Sequence, residues 1–345
     1  MRIAVALSGG VDSSVTLSLL KKQGHTVCGI FMKNWEDDEE CPAIKDYEDA
    51  LMVCNTLDVP LYSFNFSKDY WDKVFTKFLE GLKQGYTPNP DILCNREIKF
   101  DTLLAKALEL GYEKLATGHY AQNIDSSLVK GVDLSKDQSY FLYTLKKEDL
   151  EKVLFPIGAL PKTEVRAIAE REGLITHNKK DSTGICFVGK RRFKDFIAGY
   201  LPKQEGVFQT PEGKVIGKHS GAFFYTIGQR KGMGIGGPGD AWFVAGKDIN
   251  TGVVTVVQGE DHPVLYKDFL IASSLTFVNE APKEFPYTCL AKIRYRQEDQ
   301  ECIIEKIEDG KAFVRFKNAQ RAVTPSQSIV FYTKDICIGG GIILS

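Results

Sequence analysis

Residues 4–14 read AVALSGGVDSS, and no other stretch constrains the fold as tightly. The apolar run 3–7 predicts a short buried strand. Ser8, Gly9 and Gly10 make a turn. Residues 11–22 predict a helix, with Val11, Val15, Leu19 and Leu20 at near-helical spacing. Two glycines between strand and helix let the backbone approach a ligand with no Cβ in the way. A helix start offers free N–H groups and the positive end of a dipole, which suits an anion. Ser8, Ser13 and Ser14 add hydroxyls, and Asp12 is an oxygen ligand of the kind a divalent cation favours. The plainer reading is a strand–turn–helix whose serines are caps.

The loop lacks the Gly-x-x-x-x-Gly-Lys-Ser/Thr order of a Walker A loop. It resembles instead the Ser-Gly-Gly-x-Asp-Ser loop of the PP-loop ATP pyrophosphatases. That resemblance implies an ATP site formed by Ala6, Leu7, Ser8, Gly9, Gly10, Val11, Asp12 and Ser13, with Asp12 on Mg²⁺. It also implies that an acceptor attacks the α-phosphate, forming an adenylate and releasing pyrophosphate.

At 345 residues the chain is long enough for two or three domains. Its formal net charge of −1 gives no global field for a polyanion, so any nucleic-acid site must be a local patch. No apolar run approaches the length of a membrane span, and no signal peptide precedes the first strand, so a cytoplasmic protein is expected. None of the eight cysteines is spaced Cys-x-x-Cys, and the five histidines are scattered. A zinc site or an iron–sulfur cluster has no local support.

The first half alternates. Strands are expected at 25–32, 60–66 and 114–118, and helices at 47–57, 70–83 and 100–110, with an acidic excursion over 34–49. Alternation predicts a parallel, Rossmann-like sheet with helices on both faces. Ligands of such sheets sit at the carboxyl ends of the strands. The 8–12 loop, Met32, Gly118 and His119 follow strands at those ends. Met32 packs on an adenine or in the core. Gly118 admits close nucleotide approach, and His119 reads as a satisfied polar residue.

Two cysteine segments stand out. In TPNPDILCNREIKF at 87–100, two prolines stiffen the backbone, and Asp91 is placed to cap a short helix carrying Cys94 in its first turn. A thiol near a helix start gains thiolate character, and Asp91 on the same face can move a proton. A cap followed by a buried thiol is the plainer alternative. In DSTGICFVG at 181–189, Cys186 is flanked by Lys179, Lys180, Lys190, Arg191, Arg192 and Lys194 against the single acid Asp181. That local charge of about +5 suits phosphate and favours a thiolate. A solvated basic surface is the alternative.

Taken in order, the loop 8–14, PNPDILCN at 88–95, ATGHYA at 116–121, KDQSYFLYTL at 136–145, KDSTGICF at 180–187, GQRKGMGIGG at 228–237 and IRYRQ at 293–297 resemble the tRNA-specific 2-thiouridylase family across essentially the whole chain. The resemblance implies a tRNA-uridine 2-sulfurtransferase. ATP activates the C2 oxygen of the wobble uridine as an adenylate, with Met32 and Gly118 joining the ATP site. Sulfur arrives as a persulfide on Cys186, delivered by a sulfur-carrier protein or cysteine desulfurase. Cys94 attacks that persulfide and releases sulfide, leaving a Cys94–Cys186 disulfide; direct attack by the persulfide is the rival route. Asp91 becomes the acid/base residue. Asn89, Pro90 and Asp91 surround the target base, and Lys136, Asp137, Gln138, Arg294 and Tyr295 touch tRNA. The implied substrates are the tRNAs for Glu, Gln and Lys, and a monomer is expected. An ATP-gated RNA-binding or sulfur-relay protein, or another PP-loop adenylating ligase, remains the alternative.

After a polar surface segment at 123–136 and helices at 160–173 and 193–200, composition shifts to short strands and glycine turns. The expected organisation is an α/β ATP-binding catalytic domain at 1–200, a central β-rich tRNA-contacting domain at 205–268 and a C-terminal β-barrel at 269–345.

Overall fold

The computed structural model describes residues 1–35, 43–181 and 193–345. Cys41, Cys186, the acidic run 36–40 and the basic residues Lys190, Arg191 and Arg192 lie outside the described residues.

The alternating first half builds a parallel sheet. Its strands are β1 (Arg2–Leu7), β2 (Thr26–Lys33), β3 (Leu61–Asn65), β4 (Lys114–Ala116) and, beyond a hairpin of β5 (Ala121–Ile124) and β6 (Ser127–Lys130), β7 (Val153–Leu154). Their order is β3-β2-β1-β4-β7, parallel throughout. Side chains of β1 alternate between two cores, as a strand buried on both faces must. Ile3, Val5 and Leu7 meet Val11 and Val15 of α1 (Val11–Lys22) together with Val165 and Ile168. Ala4 and Ala6 face the other way, toward Phe75, Ile98 and Leu103. Helix α2 (Ala43–Thr56) starts four residues earlier than expected.

Two helices extend past their expected starts. One runs over 67–83 and contains a wide turn at Trp71–Phe75; the other runs over 90–109 with a wide stretch at Asn95–Leu103. The second begins at Pro90 because Asn89, not Asp91, is its cap. The Asn89 Oδ1 accepts from the N–H of Asp91 (3.1 Å) and of Ile92 (3.4 Å). Pro90 occupies the first helical position, where its missing N–H is harmless.

The expected polar segment at 123–136 is instead the β5–β6 hairpin. Its turn residues Asp125 and Ser126 take positive φ (50° and 58°) without the Asn-Gly signature of such turns. Strand β6 pairs with the last strand of the C-terminal barrel, so the hairpin belongs to that sheet.

The central domain is a four-stranded sheet of β8 (Gly206–Gln209), β9 (Val215–His219), β10 (Trp242–Asp248) and β11 (Val253–Gln258), in the order β10-β11-β8-β9. The last domain comprises β12 (Tyr266–Phe277), β13 (Tyr287–Lys292), β14 (Gln300–Glu308), β15 (Lys311–Arg321), β16 (Ser328–Thr333) and β17 (Ile336–Ile343). These follow the order β12-β15-β14-β13-β16-β17, and pairing of β12 with β17 closes a six-stranded barrel. Alternate residues such as Cys302, Ile304, Ala312, Val314 and Phe316 fill it.

Most described thiols are core residues. Burial pushes Cys28 up to about 11 and both Cys54 and Cys337 up to about 12, so they stay protonated and inert. No described helix is long and apolar enough to cross a membrane. Among the described residues no cluster of His, Cys, Asp and Glu could hold a metal ion.

Candidate active site

The loop after β1 is shaped by its own side chains. Gly9 takes a φ of +69°, and a Cβ there would lie 2.3 Å from the Asp46 carbonyl oxygen. Lys179 holds the loop from behind: its ammonium donates to the Gly9 carbonyl (2.9 Å), Asp46 (2.7 Å) and Asp49 (2.5 Å). Lys179 is thus committed to the fold, not free in a basic patch. The Ser13 hydroxyl donates to the Gly10 carbonyl (3.1 Å) and accepts from the Ser8 N–H (3.2 Å); the Ser14 hydroxyl also donates to Gly10 (2.8 Å). The serines therefore fold the loop, and neither caps α1. Gly10 is the cap residue, with no side-chain hydrogen bond to the helix start. The first N–H groups of α1 are left for an anion, which fits a polyphosphate.

Asp12 is held differently from the magnesium ligand its position suggested. The Lys162 ammonium donates to both of its oxygens (2.7 and 2.9 Å), and the Tyr120 hydroxyl donates to one (2.7 Å). Lys162 also pairs with Asp181 at 2.9 Å. The donor set already neutralises Asp12 with an ammonium, which suits it poorly as a resident divalent-ion ligand. Burial opposes ionisation of Asp181, but hydrogen bonds from Lys136 and Lys162 outweigh it and hold the carboxyl well below the usual range. Burial, then the Asp12 charge, pushes the Tyr120 phenol far up, so it remains a donor. Lys162, Tyr120 and Asp181 come from three distant segments; Tyr120 and Asp181 lie within the 116–121 and 180–187 segments, but nothing local places them against Asp12, and no motif marks Lys162.

Gly118 lies two residues past the end of β4 and backs directly on the loop. A Cβ there would lie 2.7 Å from the Ser13 nitrogen and 2.8 Å from the Asp12 carbonyl carbon. Close approach is needed by the loop itself, whatever the nucleotide requires. Met32, at the end of β2, is half-buried against the core on the Ala4–Ala6 side of the sheet.

His119 is buried, and burial pushes its imidazole well below the ordinary value, so it is neutral. Its Nδ1 lies 2.7 Å from the Thr117 hydroxyl and its Nε2 3.5 Å from the Lys99 ammonium. Lys99 belongs to the helix that carries Asp91 and Cys94. Burial raises the Asp91 carboxyl above its usual range, with Lys99 opposing the shift. A carboxyl so placed can give and take a proton nearer neutrality. Cys94 is 4% exposed, in the first turns of that helix. The segment that backs on the loop at Gly118 thus also meets, through His119 and Lys99, the helix that carries Asp91 and Cys94. Cys186 lies outside the described residues; Asp181 is the last described residue before it.

The expected RNA-facing residues come together from two domains. Arg294 and Tyr295 lie in the turn after β13, not within a strand. The Tyr295 ring sits 4.5 Å from that of Phe141, and its hydroxyl is 3.5 Å from the Lys136 carbonyl. Asn95, next to Cys94, donates to the Phe141 carbonyl (3.2 Å). Lys136 is paired with Asp181 at 2.8 Å. Asp137 is buried, its carboxylate accepting from the Gly131 and Ser139 N–H groups and the Ser139 hydroxyl. Gln138 accepts from the Tyr120 N–H at 2.9 Å. The side chains of Asp137 and Gln138 thus serve the fold. Arg294 makes no ion pair among the described residues; burial, then repulsion by Arg321, lowers its pKa.

Three family profiles match the chain in sequence. They are described as a tRNA methyl transferase HUP domain (residues 1–190), a tRNA methyl transferase PRC-barrel domain (194–258) and an aminomethyltransferase beta-barrel domain (267–343). A tRNA-specific 2-thiouridylase MnmA of Protochlamydia amoebophila is 56% identical over 349 residues, covering 99% of this chain and 93% of that protein. The chain belongs to the tRNA-specific 2-thiouridylase family. The 2-thiouridylase MnmA of Listeria monocytogenes serotype 4a is 53% identical, with 99% and 94% covered. The first profile is named for methyl transfer, but the proteins that match this 2-thiouridylase family member end to end are named for thiolation. Among solved structures, the U34-tRNA thiolase NcsA of Methanococcus maripaludis aligns over 59% of this chain and 68% of its own, at 19% identity and a TM-score of 0.39, a distant likeness.

Proposed function

We propose that this chain catalyses ATP-dependent 2-thiolation of the wobble uridine of tRNA. The observation that supports this best is an uncapped glycine loop backed by Gly118, whose neighbour His119 meets Lys99 of the helix bearing Asp91 and Cys94, in a chain similar end to end to proteins named 2-thiouridylases. In this reading ATP lies on the loop residues Ala6–Ser13, with Met32 and Gly118 beside it. Any Mg²⁺ arrives with the nucleotide's phosphates. The uracil O2 attacks the α-phosphorus, and pyrophosphate leaves.

Sulfur then comes from a persulfide on Cys186. The Cys94 thiolate attacks its inner sulfur, a Cys94–Cys186 disulfide forms and hydrosulfide leaves. Hydrosulfide adds to C2, and AMP departs with the former O2. Asp91 carries the proton between these steps. An external thiol reduces the disulfide for the next turnover. Asn89, Pro90 and Asp91 hold the extruded base, which costs little to extrude from a single-stranded anticodon loop. The backbone of Lys136–Gln138 and the Arg294–Tyr295 pair face the RNA. The three units are 1–200, 205–268 and 269–345, acting as a cytoplasmic monomer on the tRNAs for Glu, Gln and Lys, with a sulfur-carrier protein or cysteine desulfurase as donor.

The test is nucleoside mass spectrometry on tRNA incubated with ATP, Mg²⁺ and protein whose Cys186 has been loaded with a persulfide by a cysteine desulfurase and cysteine, with wild type beside Cys94→Ser. The expected result is 2-thiouridine with wild type and ATP alone. With Cys94→Ser, pyrophosphate release continues without thiolation. Thiolation by Cys94→Ser from a Cys186 persulfide would remove Cys94 from the mechanism. Absence of both products with folded wild type and several tRNAs would favour the relay or binding alternative.

A further inference from the structure

All three domains meet at Thr87, four residues before Asp91. Its hydroxyl accepts from the Lys247 ammonium of β10 (3.3 Å) and lies 3.5 Å from the Thr226 hydroxyl, both in the central domain. Its carbonyl accepts from the Gln327 amide of the barrel domain at 2.5 Å. Just upstream, a Cβ on Gly85 would lie 2.5 Å from Ile249 Cγ1, so the central domain covers the chain there too. Just downstream, Pro88 and Pro90 flank Asn89, whose side chain caps the helix bearing Asp91 and Cys94. Proline fixes φ, so a displacement at Thr87 is carried along this stretch instead of being absorbed by it.

Lys247 is an unusual choice for a structural contact. It makes no ion pair among the described residues, and its ammonium donates to the Tyr225 carbonyl (2.7 Å) and to Thr87. Burial alone pushes it down to about 8. Desolvating a cation opposes folding, and an apolar residue of similar length there avoids that cost while leaving the Tyr225 carbonyl without its donor, so the two effects offset. Beside it lies a cavity of about 300 Å³, lined by residues 83–87, Ile227, 247–250, Thr324 and Pro325. Packing therefore leaves Thr87 room to move if its hydrogen bonds are lost.

We propose that Lys247 is a positioning residue: it pins Thr87, and through the two prolines the Asp91–Cys94 turn, in register with the two β-domains. This rests on the thiolation reading above. The test is Lys247→Met in the full-length chain, with single-turnover thiolation at saturating ATP and tRNA, tRNA affinity by filter binding, and thermal melting. The expected result is a melting temperature no more than a few degrees below wild type and tRNA affinity within twofold. The thiolation rate falls by roughly tenfold to a hundredfold, the scale of an ångström-sized misplacement. Thr87→Val, which keeps the shape and removes the hydroxyl, gives the same fall, and the double variant is no slower than either single one. A rate within twofold of wild type, multiplicative losses in the double variant, or a loss confined to tRNA affinity would each overturn the proposal. If wild type itself makes no 2-thiouridine, the thiolation reading falls and this one with it; if wild type and Lys247→Met are equally active, only this one falls.

Discussion

Gly118→Ala tests whether the loop is held by backbone contact from the segment that follows β4. The added methyl would sit 2.7 Å from the Ser13 nitrogen, 2.8 Å from the Asp12 carbonyl carbon and 3.1 Å from the Asp12 Cβ. Ordinary contact begins near 3.4 Å, so the nearest pair is about 0.7 Å too close. Two of the three atoms are backbone and cannot rotate aside. Gly118 is outside the left-handed region, so the effect is purely steric. Overpacking of this kind costs about 1–3 kcal/mol, or roughly 2–12 °C of melting temperature at about 2–4 °C per kcal/mol. Because Asp12 and Ser13 must shift, the KM for ATP should rise as well. The assay is thermal melting together with tRNA-dependent pyrophosphate release over a range of ATP concentrations. Gly236→Ala, where the methyl meets nothing within 4 Å, is the control. An unchanged melting temperature with a raised KM would show that Gly118 serves only the nucleotide. No change in either would refute the packing argument entirely.

Asp91→Asn should reduce thiolation by about 10²–10⁴-fold, the usual contribution of a general acid or base. Burial raises the Asp91 carboxyl in the folded state, so the native protein holds a proton that the unfolded chain releases, and stability falls as pH rises through that window. The variant should therefore melt at or above wild type at pH 7, with the difference closing below about pH 4; a lower melting temperature at pH 7 contradicts this. Lys162→Met should lower the melting temperature and weaken ATP use, because Asp12 and Asp181 lose their shared cation. Asp181 is depressed, so its contribution is present above about pH 4 and lost as pH falls through the folded value; the gap between variant and wild type should shrink in acid. A gap that stays constant as the pH falls would show that Lys162 acts through packing alone.

The parts legible in the sequence were those set by near neighbours. The strand–turn–helix over Arg2–Lys22 is written in adjacent residues: an apolar run, two glycines, then helical spacing. The alternation that follows dictates a parallel sheet, because each element must bury one face against the next. The dense β-strand pattern after residue 269 likewise implied a barrel, and strand closure supplies it. Even there, neighbours compete. Asn89 and Asp91 are both capping residues, and Pro90 between them decides for Asn89 by occupying the first helical position.

What only the tertiary structure decided are the contacts between residues far apart in the chain. Asp12 offered an oxygen ligand to a cation; that the cation is Lys162, 150 residues away, depends on how the helix Lys162–Arg171 packs beside α1. The 123–136 segment looked like exposed loop because its turn lacks glycine, and its place in the barrel sheet requires β17, some two hundred residues later. Asp137 and Gln138 are polar in sequence, yet burial commits their side chains to backbone partners. Thr87 carries no local signal at all, since its partners Lys247 and Gln327 reach it from two other domains. Local pattern sets which elements form, because it acts through neighbouring dihedrals and the burial of one face. Which charges meet is set by docking, where a desolvated group must find its partner wherever the chain has brought one.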